Sequence, residues 1–480
     1  MNTNNGTTGL RGWLSPLVHL SNNWISLAGV VIVTTATVFW LFLLPTTLGG
    51  NAHNPYFGIL AFLVLPGVFF TGLGLIPLGI WLKRRRERRD RSYPESFASL
   101  NFRSPDVRRL LAFIGLTTFV NIVIASQLTY GAVHYMESVT FCGRTCHTVM
   151  QPEYTAYQHS PHSRVSCVDC HIGAGASWFV KSKLSGAWQV FAVTFDTFPR
   201  PIPTPVANLR PARETCETCH WPQKYGEDRL RVISKYADDE KNTLTKTVLL
   251  IKIGGGNRGI GIHGTHLGPN VRIRYAHSDE GRQTIPWMEY TDGKRTTIYA
   301  AEGAKPDGMP LRDMDCMDCH NRPSHTFELP ERAVDHAMFA GDIPAMLPFA
   351  KKVTLETIKK DYATQQAAEV QISAAFDRYY REQHPEIYRE HRPQVAQAGK
   401  GAYAIWSRNV FPEMKVNWGT YPNNIGHTDF PGCFRCHDGR TSADGRTVSQ
   451  DCGVCHNLLA MDEAEPKVLK DLGVVEHIQQ

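Results

Sequence analysis

Twelve cysteines fall into six pairs: Cys142/Cys146, Cys167/Cys170, Cys216/Cys219, Cys316/Cys319, Cys433/Cys436 and Cys452/Cys455. A histidine follows the second member each time, as His147, His171, His220, His320, His437 and His456. Five pairs read C-x-x-C-H, and the first reads C-x-x-x-C-H. C-x-x-C-H is the signature of covalent haem attachment. The two thiols add to the two vinyl groups of the porphyrin, and the adjacent imidazole reaches the iron as an axial ligand. Disulfide and zinc frameworks need no histidine directly after every second cysteine. Six covalently bound c-type haems are therefore expected, with no cysteine left for a bridge or a nucleophile.

Each haem iron has a sixth position to fill. Of the twenty histidines, fourteen lie outside the motifs, and His19 and His53 belong to the membrane region. His162, His325, His336 and His427 are the candidate distal ligands, followed by one of His263 and His266. His384 and His391 sit in a charged helical stretch and are expected to be solvated. Two imidazoles on one iron give a low-spin, six-coordinate centre that shuttles electrons without opening a position to substrate.

Three uncharged apolar runs precede these motifs: Trp24–Leu44, Phe57–Leu82 and Leu110–Leu128, the last continuing to Tyr135. Each matches the roughly 20 residues that a helix needs to cross a bilayer. Pro66 and Pro77 should kink the second. Net charge is +6, and the stretch Lys83–Arg91 alone contributes +5 of it, seven basic residues facing Glu87 and Asp90. The near-neutral remainder argues against a nucleic-acid surface. The loop from Lys83 to Arg109 is basic, whereas Pro45–Tyr56 carries no Lys or Arg. The positive-inside rule puts the basic loop and the N-terminus in the cytoplasm and everything after the third span outside it. The expected location is the bacterial inner membrane with a periplasmic haem domain, since haem is attached on that side.

The expected fold class is a membrane-anchored multihaem cytochrome c. Three N-terminal transmembrane helices lead into a mostly helical or irregular haem domain with a small β-rich insertion. Residues 1–109 hold two spans and the basic loop, and 110–135 the third span. Haems 1–3 occupy 136–228, with a proline-rich connector over Phe198–Pro211. The insertion is 229–310, with strands expected at Thr245–Ile253, Val271–His277 and Thr296–Tyr299 between Gly-rich turns. Haem 4 lies in 311–330, a helical segment in 331–415 with breaks at Gly341 and Gly399/Gly401, and haems 5–6 with a loose tail in 416–480. Gly254–Gly259 formally matches G-x-G-x-x-G, but more glycine and turn residues follow it rather than a helix, so dinucleotide binding is rejected.

From Tyr135 to Gly226 the sequence resembles the NapC/NirT/NrfH family of membrane-anchored quinol dehydrogenases. The residues that carry the likeness are Phe141-Cys142…Cys146-His147…Met150, Ser160-Pro161-His162…Val165-Ser166-Cys167-Val168-Asp169-Cys170-His171, Phe179-Val180-Lys181-Ser182-Lys183 and Glu214-Thr215-Cys216-Glu217-Thr218-Cys219-His220-Trp221-Pro222. Cys316…Cys319-His320, with His325 five residues on, stands for the fourth family motif. As a whole, with its three spans and extra C-terminal haems, the chain resembles the larger inner-membrane cytochromes of bacteria that respire extracellular or periplasmic acceptors.

The resemblance implies that electrons come from menaquinol in the membrane quinone pool and leave to periplasmic cytochromes or reductases. It implies Met150 as a ligand of the first haem, His162 as distal ligand for the Cys216/Cys219 haem and His325 for the Cys167/Cys170 haem. It also places Lys183 beside the quinol site. The family's quinol-site aspartate is replaced by Val190, leaving Asp196 or Glu137 as substitutes. Quinol oxidation releases protons as well as electrons, and Lys183, Glu137, Asp196 and His134 are the ionisable residues near the membrane boundary. Two other readings are a terminal multihaem reductase of a small oxyanion and a haem relay subunit without its own quinone site. All six motifs end in His, which counts against the reductase. A homo-oligomer or a larger membrane complex is compatible with the sequence.

Overall fold

A computed structural model describes residues 16–17, 19–21, 23–48, 63–94, 105–145, 147–172, 176–206, 210–221, 226–255 and 260–474. Cys146, the start of the second apolar run, most of the loop before it, Pro222, Gly256–Gly259 and the last six residues lie outside that set, as do the side chains of His147 and Lys183. The chain divides into two compact units, 1–137 and 138–480.

In the first unit, Trp24–Leu48 (α1), Leu65–Arg89 (α2) and Pro105–Met136 (α3) are helices. Among the described residues α2 is the one helix long and apolar enough to cross a membrane, and Trp24–Trp40 is a shorter apolar stretch. Two expectations change here. Pro66 sits in the first turn of α2, where its missing N–H costs nothing, and only Pro77 lies inside the helix. The basic run from Lys83 to Arg89 is helical rather than a loop. Lys and Arg are good helix formers, and Arg86, Arg88 and Arg89 in the last turn complement the helix dipole. Small residues let α1 and α2 approach closely, since a Cβ on Gly29 would meet the Gly72 carbonyl oxygen at 2.7 Å.

The second unit is helical with two small antiparallel sheets. His147–Gln158 (α4) and Ala176–Thr194 (α5) accompany the first two haem motifs. Strands Arg229–Tyr236 (β1) and Leu244–Ile251 (β2) form a hairpin, followed by a seven-residue helix, Gly261–Leu267 (α6). Arg272–Ala276 (β3), Trp287–Thr291 (β4), Thr296–Ala300 (β5) and Leu311–Asp313 (β6) make a sheet of order β5-β4-β3-β6. The glycine run therefore does lead into a helix, a short one that carries His263 and His266. His456–Glu463 (β7) starts on the last motif histidine and closes the first sheet, β1-β2-β7. Alternation is weak in β7, and no strand is expected there from its residues.

Pro330–Phe339 (α7), Ala350–Ile358 (α8), Gln365–Gln383 (α9), Pro385–Glu390 (α10) and Arg392–Asn409 (α11) enclose the largest apolar core, with Ile343, Leu347, Ile372, Phe376, Ile405 and Trp406 almost fully buried. Gly341, at φ 80°, follows the end of α7 as expected. Gly399 and Gly401 do not break a helix but lie inside α11. A Cβ on Gly401 would meet the Asp342 carbonyl oxygen at 2.7 Å, and one on Gly399 the Ser373 Cα at 3.3 Å. Close helix contact, not chain reversal, explains them. The bundle is joined to β1 by a buried ion pair. Lys351 Nζ donates to Asp335 Oδ1 at 2.8 Å and to the Tyr236 carbonyl at 2.5 Å, while Asp335 Oδ1 accepts from the Tyr236 N–H at 3.0 Å.

Candidate haem and quinol sites

The motif cysteines sit on single short turns, so both thiols of a pair leave the backbone on the same side. Cys167–His171, Cys316–Cys319 and Cys452–Cys455 are one-turn helices. Ser166 and Asp169 form a capping box on the second motif, and Asp315 and Asp318 do so on the fourth. The extra residue of the first motif is taken up by a π-helical turn, Phe141–Thr145, a wider turn able to absorb one insertion. Glycine is required inside it, because a Cβ on Gly143 would overlap the Tyr154 ring. None of the eleven described cysteines is in a disulfide.

Five motif histidines each face a second histidine. Ring centroids are 6.2 Å apart for His171–His325, 5.9 Å for His220–His162, 6.2 Å for His320–His263, 5.8 Å for His437–His266 and 6.3 Å for His456–His427. A metal–imidazole bond is roughly 2 Å, so two rings bound across one metal have centroids about 6 Å apart. The motif thiols and these spacings fit covalent haem with paired axial imidazoles. Both His263 and His266 take part, where the sequence favoured only one.

The outer hydrogen bonds suit metal binding too. Nδ1–H donates to a backbone carbonyl in His162 (Pro323, 3.1 Å), His325 (Glu153, 3.0 Å), His266 (Ile262, 2.7 Å) and His437 (Ser449, 2.8 Å). A carbonyl can only accept, so the proton is on Nδ1 and the Nε2 lone pair is left for a metal. Burial pushes His171, His263, His266 and His320 below the ordinary imidazole value and His325 down to about 4, keeping these rings neutral. Beside His325, Arg322 is buried over the Tyr421 ring at 4.0 Å, with Glu153 Oε1 3.6 Å from its Nη2.

His336 goes elsewhere. Its Nδ1 is 2.7 Å from Glu328 Oε1 on a half-exposed face, and among the described residues its ring meets no motif histidine. The Glu328 carboxylate therefore holds that ring in place of a motif partner. His384 packs among Phe349, Tyr379 and Tyr380 rather than lying free in solvent.

For the first motif, His147 and Met150 lie one turn apart on α4, on one face of the helix. The helix spacing therefore makes them alternatives for one side of the first site. Met150 is half-buried. Of the quinol-site candidates, Lys183 lies on α5 and Glu137 ends the first unit. His134 stacks on Tyr130 at 6.4 Å. Asp196 is already held by Arg200, Oδ1 to Nη2 at 2.5 Å. α5 also presents Leu184, Trp188 and Phe191 to solvent, with Phe195 just beyond its end.

Sequence reading missed how the fourth and fifth motifs lock together. Arg435, inside the fifth, donates to the Asp318 carbonyl at 2.5 Å, and the Asp318 side chain accepts from Tyr275 at 2.5 Å and Arg312 Nε at 3.1 Å. A charged residue between haem cysteines was the available signal.

Residues 105–201 match the NapC/NirT cytochrome c family model for the N-terminal region. The cytochrome c-type protein ImcH of Geobacter sulfurreducens is 39% identical over 466 residues, covering 94% of this chain and 91% of that protein. The cytochrome c-type protein NrfH of Wolinella succinogenes is 33% identical over 110 residues, 22% of this chain and 59% of that protein. No solved structure matches. With its haem motifs, membrane-type helix and near full-length likeness to such a relative, the chain belongs to the NapC/NirT family of membrane-anchored multihaem c-type cytochromes.

Proposed function

We propose that this cytochrome oxidises menaquinol and passes the electrons through six haems to periplasmic acceptors, anchored in the inner membrane by three spans with its N-terminus in the cytoplasm. The observation that carries the reading is the set of five facing histidine pairs. The bound haems supply one-electron redox centres. The chain would hold them: the twelve motif cysteines as thioethers, the motif histidines His171, His220, His320, His437 and His456 as proximal ligands, and His162, His325, His263, His266 and His427 as distal ligands for the third, second, fourth, fifth and sixth haems. His147 or Met150 serves the first. Fully paired imidazoles leave those five sites no position for substrate, which favours electron transfer over oxyanion reduction.

Oxidation of one quinol to quinone releases two electrons and two protons, so a base must stand by. Lys183 is our first choice and Glu137 the second. Asp196 would have to leave Arg200 before it could accept a proton.

The test mixes purified holoprotein with a short-chain menaquinol analogue and follows haem reduction by absorbance. Rapid reduction that stops at six haems per chain by mass is the expected result, slowed at least tenfold by Lys183→Met. Haems that dithionite reduces but the quinol does not would refute quinol oxidation and leave a relay subunit.

A further inference from the structure

The motifs lie against one another in a definite order. Helix α4 begins at His147 of the first motif, and its Glu153 carbonyl accepts from Nδ1 of His325, the ring that faces His171 of the second. The turn Cys167–His171 of the second packs against Ala212–Cys216 of the third, which packs against Cys316–Cys319 of the fourth. Arg435 of the fifth donates to the Asp318 carbonyl of the fourth. Phe434 of the fifth stacks on His427, the ring that faces His456 of the sixth. Every one of these relations joins consecutive motifs.

The insertion reinforces the middle of this series. His263 and His266 are three residues apart on α6, so their side chains leave one face of a single turn. One faces His320 of the fourth motif and the other His437 of the fifth. Groups held from one helical turn are necessarily neighbours. The same segment is tied to the sixth motif. The backbone N–H of Ile262 donates to Lys252 O at 2.9 Å, Lys252 N–H donates to Cys455 O at 2.9 Å, and Lys252 Nζ donates to Gly453 O at 2.6 Å.

We propose that the six haem sites form one unbranched file in chain order, from Cys142/Cys146 to Cys452/Cys455, with α6 clamping the fourth site to the fifth. This rests on the haem assignments above but not on quinol oxidation. An electron entering at the first site would then have to pass every other site before leaving at the sixth. The β-rich insertion has a task in this arrangement: it extends a short relay by holding the two added C-terminal sites against the fourth.

The order can be read by injecting electrons at one end. A ruthenium photoreductant is attached to Met461→Cys, an exposed position on β7 just after the sixth motif. A single methionine-ligated haem, with its distinct far-red absorption and raised potential, serves as a trap in three separate holoproteins: His266→Met for the fifth site, His263→Met for the fourth and His325→Met for the second. After a flash, the trap is expected to fill fastest at the fifth site, several-fold slower at the fourth and slowest at the second. Where His263→Met loses haem by mass spectrometry, the fifth and second traps alone decide the order. A second-site trap that fills as fast as the fifth, or a fourth that fills ahead of the fifth, would overturn the file.

Discussion

Phe434 lies inside the fifth motif, yet its ring stacks on His427, which faces the motif histidine of the sixth. The centroids are 4.4 Å apart and the planes 15° from parallel, while His427 and His456 face each other at 6.3 Å and 19°. Phe434→Leu keeps an apolar side chain and removes the stack. An aromatic pair contributes about 0.5–1.5 kcal/mol beyond its area burial. If that energy holds His427 in its ligating position, its loss weakens ligation roughly 2- to 13-fold at about 1.4 kcal/mol per factor of ten. An external ligand that must displace His427 gains by the same factor. Cyanide titration of the oxidised holoprotein, followed by replacement of the bis-imidazole spectrum by that of the cyanide adduct, reads this directly. One haem of the six should bind cyanide more tightly by that factor while the others stay unchanged. His427→Ala should open that same haem outright, and added imidazole should close it again. Unchanged cyanide affinity in Phe434→Leu, or an effect spread over several haems, would refute the reasoning.

Two further predictions concern the frame around the haems. Lys351→Met leaves the Asp335 carboxylate buried without its partner and should cost about 3–5 kcal/mol, seen as a lowered denaturant midpoint for the bundle. Adding Asp335→Leu should recover most of it, and an undiminished midpoint in the single variant would show that the pair does not secure β1. His336 is held above the ordinary imidazole value by its hydrogen bond to Glu328. Burial pushes the Glu328 carboxyl up, but His336, Arg408 and Arg332 bring it net below its usual value. The His336 contribution is present below the unfolded imidazole pKa and fades as pH rises through the raised folded value. The Glu328 contribution is present above the unfolded carboxyl pKa and fades as pH falls through the depressed one. His336→Gln should therefore lower stability at about pH 5.5 more than at about pH 8.5, with haem spectra unaltered. A new high-spin haem in that variant would make His336 a ligand after all.

What was legible in the sequence is what chemistry writes locally. The cysteine–histidine grammar needs no partner elsewhere to be read, and the apolar and β-branched runs announce helices and strands of the right kind. The distal side was harder, because a second ligand is chosen by where the chain returns, not by its neighbours. His162 and His325 came into view through family likeness, and His427 through its place before the fifth motif. Nothing local separated His336 from them, since the Glu328 that holds it lies eight residues upstream in an unremarkable stretch. His263 and His266 were weighed against each other although a three-residue spacing puts both on one helical face. The missed signal was that the glycines before them end in a helix. Gly399 and Gly401 misled for the opposite reason. Sequence shows a missing side chain, not the neighbouring backbone that requires it to be missing.

The crossing of the histidine partners has a consequence for biogenesis. His171 faces His325, and His220 faces His162, so ring partners come from both earlier and later stretches of chain. On the proposed outward topology, a polypeptide threaded from its N-terminus would offer His162 before His220 but His171 long before His325. The second site would keep one side open until the stretch after the fourth motif had emerged, whereas both rings of the third would be present as soon as its motif was made. A stall between residues 171 and 325 would therefore leave the second site without its facing ring, a half-built state that the folded protein closes.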